Sequence, residues 1–99
     1  MSLYVFATLR IRPEHREAVQ SLLQQLVKAS RTEAGCHHYQ AMTDLQDSDT
    51  VHIFEEYAGE EALEAHRQSA HYQAYRTFAA DKLAAPVEVR VMRELAVER

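Results

Sequence analysis

The densest run of chemically capable side chains lies between Glu55 and Tyr75: Glu55-Glu56-Tyr57, then Glu64-Ala65-His66, then Ser69-Ala70-His71-Tyr72, then Tyr75. Imidazoles beside a carboxylate are the components of proton transfer. Histidine exchanges a proton near neutral pH, and a carboxylate fixes which ring nitrogen carries it. His66 and His71 each fall on the apolar stripe of a helical pattern, and Glu55 is the one carboxylate in the alternating row Val51, Ile53, Glu55, Tyr57. If that row faces the helices, Glu55 is a partly buried acid that needs a partner, and a neighbouring histidine is the expected one. The same two histidines would serve equally as hydrogen-bonded core residues that pin the helices down. Tyr39, Tyr57 and Tyr75 can line a pocket for a flat substrate, although aromatic residues are expected in any small core.

No metal site is expected from the spacing. Zinc pairs on one helix sit three or four residues apart so that both rings face one way. His66 and His71 are five apart, about 140° around a continuous helix, and converge only if the chain bends between them. There is no HExxH motif and Cys36 is the single cysteine. His37-His38 and His52 belong to strand patterns and read as surface or interface residues. Gly35 and Gly59 are the two glycines, far apart, so no phosphate-cradling loop exists and nucleotide binding is not expected.

These residues must be positioned by regular elements. Leu3, Val5, Ala7, Leu9 and Ile11 alternate with Tyr4, Phe6, Thr8 and Arg10, which predicts a first strand covered on both faces. Pro13 to about Glu33 carries apolar residues at helical spacing (Ala18, Val19, Leu22, Leu23, Leu26, Val27) and stops near Gly35. Cys36 to Leu45 and Thr50 to Tyr57 form a hairpin around Asp47-Ser48-Asp49. Glu60 to Arg67 is a short helix, Gln68-Ser69-Ala70 a kink, and His71 to Leu83 a further helical stretch that Pro86 ends. Val87, Val89 and Val91 alternate in a last strand. The order β-α-β-β-α-β is the ferredoxin-like α+β pattern, a four-stranded antiparallel sheet with its helices on one face. Tyr4, Phe6 and Met92 then fall on the other face, which is too apolar to leave in water. A homodimer with its two sheets face to face, a dimeric α+β barrel, covers it.

Composition narrows the function classes. Ninety-nine residues, 46% hydrophobic and 26% charged, predict one domain spanning 1–99. Eleven Lys and Arg against fifteen Asp and Glu give a net charge of −4, the wrong sign for a sequence-independent grip on nucleic acid. No apolar run reaches the roughly 20 residues of a membrane span and no signal peptide opens the chain, so no membrane partner is expected. A lone cysteine makes the cytoplasm the expected location.

Glu33-Ala34-Gly35-Cys36-His37-His38-Tyr39 resembles the E-x-G-C-x-x-Y entry into the second strand of the antibiotic biosynthesis monooxygenase domain family. Phe54-Glu55-Glu56-Tyr57, Ala62-Leu63-Glu64-Ala65-His66 and Ser69-Ala70-His71-Tyr72 resemble that family's E-x-[WY]…A-L-x-x-H-x-x-S/T-x-H-[FY] stretch. The small quinol-monooxygenase-like members look most similar. The resemblance implies a dimeric α+β barrel with a pocket between sheet and helices. It implies oxidation of a small quinol or polyphenol with O2, without metal, flavin or haem. Carried over by position, His66 and His71 are base or hydrogen-bond donors, Glu55 orients one of them, and Tyr39, Tyr57 and Tyr75 shape the pocket. Anthrone-oxidising and haem-degrading members are associated with active-site Asn and Trp. This chain contains neither residue, so those mechanisms do not transfer.

Two other functions compete. A proton-transfer isomerase of a small carbonyl or sugar-phosphate uses the same His and Glu groups, with Arg10, Arg67, Arg76 or Arg90 to meet a phosphate. A non-catalytic dimeric module that binds a small aromatic compound requires a closed cavity without convergent polar groups.

Overall fold

The computed structural model describes residues 1–96; the expected domain boundary at Arg99 lies outside the described residues. Four strands, β1 (Leu3–Arg10), β2 (Cys36–Thr43), β3 (Thr50–Tyr57) and β4 (Glu88–Met92), form one antiparallel sheet in the order β2-β3-β1-β4. Three helices accompany it: α1 (Arg16–Ser30), α2 (Glu60–Gln68) and α3 (Ala70–Ala79). This is the ferredoxin-like α+β fold, with its second helix broken in two.

Hydrophobic alternation explains the layering. Leu3, Val5, Ala7 and Leu9 are buried on one face of β1, and Val51, Ile53, Glu55 and Tyr57 are buried on the same face of β3. Val19, Leu23 and Leu26 of α1 and Tyr75 and Ala79 of α3 close over them. Pro13 opens a 3-10 turn, Pro13–His15, ahead of α1, where a missing N–H costs nothing. The register sets one row across the sheet: Tyr39 lies opposite Glu55, Glu55 opposite Val5, and Val5 opposite Val91. All four side chains therefore share the helix-facing side.

Two local features position the site. Ser69 is extended (φ −67°, ψ 151°) between α2 and α3 and caps α3 by accepting from the Tyr72 N–H at 3.2 Å. Its hydroxyl also donates to the His66 carbonyl at 2.6 Å, so one serine ends one helix and starts the next. Gly35 packs directly on α2: a Cβ there would come within 2.4 Å of the Ala62 Cβ. Only glycine lets the chain between α1 and β2 approach the helix this closely.

The last strand starts one residue after Val87, and it sits at the sheet edge. Val89 and Val91 fall on the helix-facing row, yet each remains half exposed. On the opposite face Tyr4 stacks on Phe54, Phe6 on His52, and His38 meets Phe54 edge-on. Among the described residues no helix is long and apolar enough to cross a membrane.

Candidate active site

Glu55 emerges from β3 into the space between sheet and helices, as the row pattern requires. A cavity of about 420 Å³ lies there. Its floor is apolar, from Val5, Ala7 and Ile53, with Val87 and Val89 at the open β4 side. Its polar wall comes from Tyr39, Glu55, His66, Arg67, Tyr72, Tyr75 and Arg76.

The expected pairing of Glu55 with a histidine is corrected. Glu55 Oε1 instead accepts the Tyr57 hydroxyl at 2.6 Å. The reason lies in the strand geometry: residues i and i+2 share a face, so Tyr57 reaches Glu55 without crossing the cavity. Burial raises the Glu55 carboxyl to about 7, against the opposing pull of the Tyr57 hydrogen bond and the Arg67 charge. Near neutral pH this group is therefore poised between acid and carboxylate.

The histidines meet a different carboxylate, Glu33, from the turn after α1. Glu33 Oε2 accepts from His66 Nδ1 at 2.9 Å and from His71 Nε2 at 2.5 Å. The break at Ser69 supplies the bend that a five-residue spacing demands, bringing the two ring centroids to 6.0 Å. Glu33 was not among the expected site residues. The available signal was its place at the head of Glu33-Ala34-Gly35-Cys36, but that segment has no periodicity to say which way the side chain turns.

His66 is 1% exposed and sits within 4.9 to 5.4 Å, centroid to centroid, of the rings of Tyr39, Tyr57 and Tyr72. Its Nε2 is buried and has no hydrogen-bond partner among the described residues. Burial lowers its pKa, outweighing the Glu33 hydrogen bond that raises it. His66 is thus held as a neutral ring at neutral pH, with Nδ1 carrying the proton and Nε2 a free lone pair. His71 does not line the cavity; it flanks Glu33 from the far side and is partly exposed. Tyr39 and Tyr75 line the cavity, whereas Tyr57 lies outside its wall and acts on it through Glu55. Burial raises the phenols of Tyr39 and Tyr57 strongly and pushes Tyr75 up to about 12, so all three remain neutral hydrogen-bonding groups. Arg67 and Arg76 line the cavity; Arg10 and Arg90 do not. Cys36 has its thiol raised by burial and by Glu33, the wrong direction for a nucleophile.

The chain as a whole has solved and named counterparts. Residues 2–77 match the family described as "Antibiotic biosynthesis monooxygenase". Over 91 residues the chain is 35% identical to "Putative monooxygenase Rv0793" of Mycobacterium tuberculosis, covering 92% of this chain and 89% of that one. It is 34% identical to "Probable quinol monooxygenase YgiN" of Escherichia coli K12, over 74% of this chain and 80% of the relative. The solved structure of Rv0793 superposes over the whole of both chains with a TM-score of 0.92 at 31% identity. PA3566 from Pseudomonas aeruginosa superposes over 96% of this chain and 95% of its own with a TM-score of 0.89 at 32% identity. Motif, strand order and three-dimensional likeness agree: the chain belongs to the antibiotic biosynthesis monooxygenase family.

Proposed function

We propose that residues 1–99 act as one domain and catalyse the cofactor-independent oxidation of a small quinol or polyphenol by O2. The observation that carries this reading is the state of His66. One ring nitrogen is pinned by Glu33, and the other is a buried, unpartnered acceptor on a residue that lines the cavity. A phenolic hydroxyl that reaches Nε2, by displacing a ring packed around His66, gives up its proton there. The resulting anion is electron-rich enough to pass one electron to O2. Recombination of the radical pair forms a C–O bond, and loss of water leaves the hydroxyquinone. A hydroquinone and O2 thus become a hydroxyquinone and water, with no external reductant.

Glu55 in its neutral form is the acid beside this chemistry, a donor for the oxygen that leaves as water. Tyr39 and Tyr75 hold the flat substrate, and Tyr57 fixes the Glu55 carboxyl. Glu33 and His71 are positioning residues: the first sets the tautomer of His66 and the second sets Glu33. The apolar outer sheet face, with Tyr4, Phe6 and Phe54, supports a homodimer joined through its sheets. The lone cysteine supports a cytoplasmic setting.

The relative named as a quinol monooxygenase supports the substrate class. Oxygen uptake by the purified chain with a panel of hydroquinones tests it. Uptake faster than autoxidation, falling about 10²- to 10⁴-fold in His66→Ala, is expected. Uptake no faster than autoxidation across the panel, or unchanged in that variant, overturns the reading.

Arg67 and Arg76 on the cavity wall favour a second reading, proton transfer within a small carbonyl or sugar-phosphate. It predicts deuterium incorporation from solvent into substrate with no O2 consumed. The convergent His66, Glu55 and Arg67 speak against a purely passive binding module.

A further inference from the structure

We propose that Glu33, His66 and His71 form a binding site for a divalent transition-metal ion of the Zn2+ class, and that occupancy switches off His66 as a base. The second half of this statement rests on the function proposed above; the first half does not.

The cluster has the composition and reach of a three-ligand site. Two imidazoles and one carboxylate offer one ligand atom each, all within 4.8 Å of one another. Nitrogen and carboxylate donors suit Zn2+, Co2+, Ni2+ or Fe2+ over the hard, all-oxygen cations. The spacing objection to two histidines five residues apart holds for a continuous helix, and Ser69 breaks that helix between them. The three ligands come from three separate elements, the turn before β2, the end of α2 and the start of α3, which is how a folded site is preorganised. His66 is fully packed on its tyrosine neighbours, while Glu33 and His71 retain some exposure, giving an entry path and room for a water as fourth ligand.

Admitting an ion requires the two partly exposed ligands, Glu33 and His71, to move. Tetrahedral bonds of about 2.0–2.1 Å separate ligand atoms by roughly 3.3 Å. Glu33 Oε2 now lies 2.9 Å and 2.5 Å from two nitrogens that are themselves up to 4.8 Å apart, so to admit the ion the carboxylate must withdraw by less than about 1 Å and the partly exposed His71 ring must move in by about 1.5 Å.

The consequence follows from proton bookkeeping on one ring. A metal binds the lone pair of Nδ1, so the proton that Nδ1 now donates to Glu33 must leave it. In a neutral imidazole that proton resides on Nε2 instead. The nitrogen that serves as the acceptor in the proposed reaction becomes a donor and can no longer take a phenolic proton. Metal binding and base catalysis are therefore mutually exclusive at His66.

Titration of the tag-free 99-residue chain with Zn2+, by calorimetry and by competition against a chromogenic chelator, tests the site. One ion per chain is expected. Binding should weaken in Glu33→Ala and in His71→Ala by more than the roughly 10- to 100-fold that outer partners cost at metal sites. It should be unchanged in the double variant His37→Ala/His38→Ala, which removes exposed strand histidines. Both cluster variants alter partly exposed residues, and circular dichroism verifies that they fold. Imidazole 15N shifts should show His66 moving from the Nδ1–H to the Nε2–H form as Zn2+ is added. Absence of binding, or binding in the two cluster variants as tight as in the wild type, overturns the site. Binding without the tautomer change overturns the switch. Neither readout uses substrate, so a chain that binds Zn2+ this way but consumes no O2 even when metal-free would refute the monooxygenase reading and leave the metal site standing.

Discussion

Glu33 and His66, 33 positions apart in the chain, are joined by a 2.9 Å hydrogen bond from Nδ1 to Oε2, and this bond decides which face of the imidazole is chemically free. A carboxylate held against one ring nitrogen makes the other an acceptor. Replacing Glu33 by Ala should let His66 sample both tautomers, visible as averaged imidazole 15N shifts, and lower kcat roughly 10²-fold, the low end of a general base's contribution. Glu33→Gln keeps an acceptor without the charge and should fall between the two. Unaltered tautomer populations in Glu33→Ala would remove Glu33 from the site.

Glu55 should leave a signature in the pH dependence of stability. Burial raises its carboxyl from 4.5 to about 7 in the folded chain. Between those values the folded state binds more protons than the unfolded state, so this contribution is fully present below 4.5 and is lost as pH rises through about 7. The effect is on the order of 3 kcal/mol. Chemical denaturation from pH 4 to 9 should show this decline in the wild type. In Glu55→Gln, which still accepts the Tyr57 hydroxyl but cannot ionise, the decline should be absent.

Gly35 holds the Glu33 turn against α2 through a contact that no side chain fits, since an added Cβ lies 2.4 Å from that of Ala62. Gly35→Ala should destabilise the chain by about 1–3 kcal/mol, as overpacking does. Combining it with Ala62→Gly should restore much of that loss beyond the ~1 kcal/mol that glycine costs within a helix. Additive losses in the urea midpoints of the double variant would show that the two positions do not meet.

The outer sheet face supplies a fourth outcome. Phe54 touches both Tyr4 and His38 at its centre. Phe54→Glu places a charge in the proposed interface between two sheets, where it has no partner. Sedimentation should find the wild type as a dimer and this variant as a monomer, with an unchanged far-ultraviolet spectrum. A monomeric wild type would rule the interface out.

The chain itself determined the elements and the faces. Period-two alternation in Leu3 to Arg10 and Thr50 to Tyr57 placed Glu55 in a buried row, because side chains alternate strictly along a strand. Helical spacing set α1 against the sheet, and the two quoted motifs named the family. Local pattern carries that information, since each element's buried face is written in its own residues. The partner of each polar group is not written there. Glu55 met Tyr57 two residues along its own strand, whereas His66 and His71 met Glu33 from a turn more than thirty residues earlier. Glu33 lies where no repeating pattern aims a side chain, in the turn that Gly35 lets pack on Ala62, and the break at Ser69 lets both rings meet it. Six histidines and fifteen side-chain carboxylates can be counted from the sequence, but only the tertiary structure decided which carboxylate holds which ring. That choice depends on packing between elements distant in the chain, and it fixes the one nitrogen left free to react.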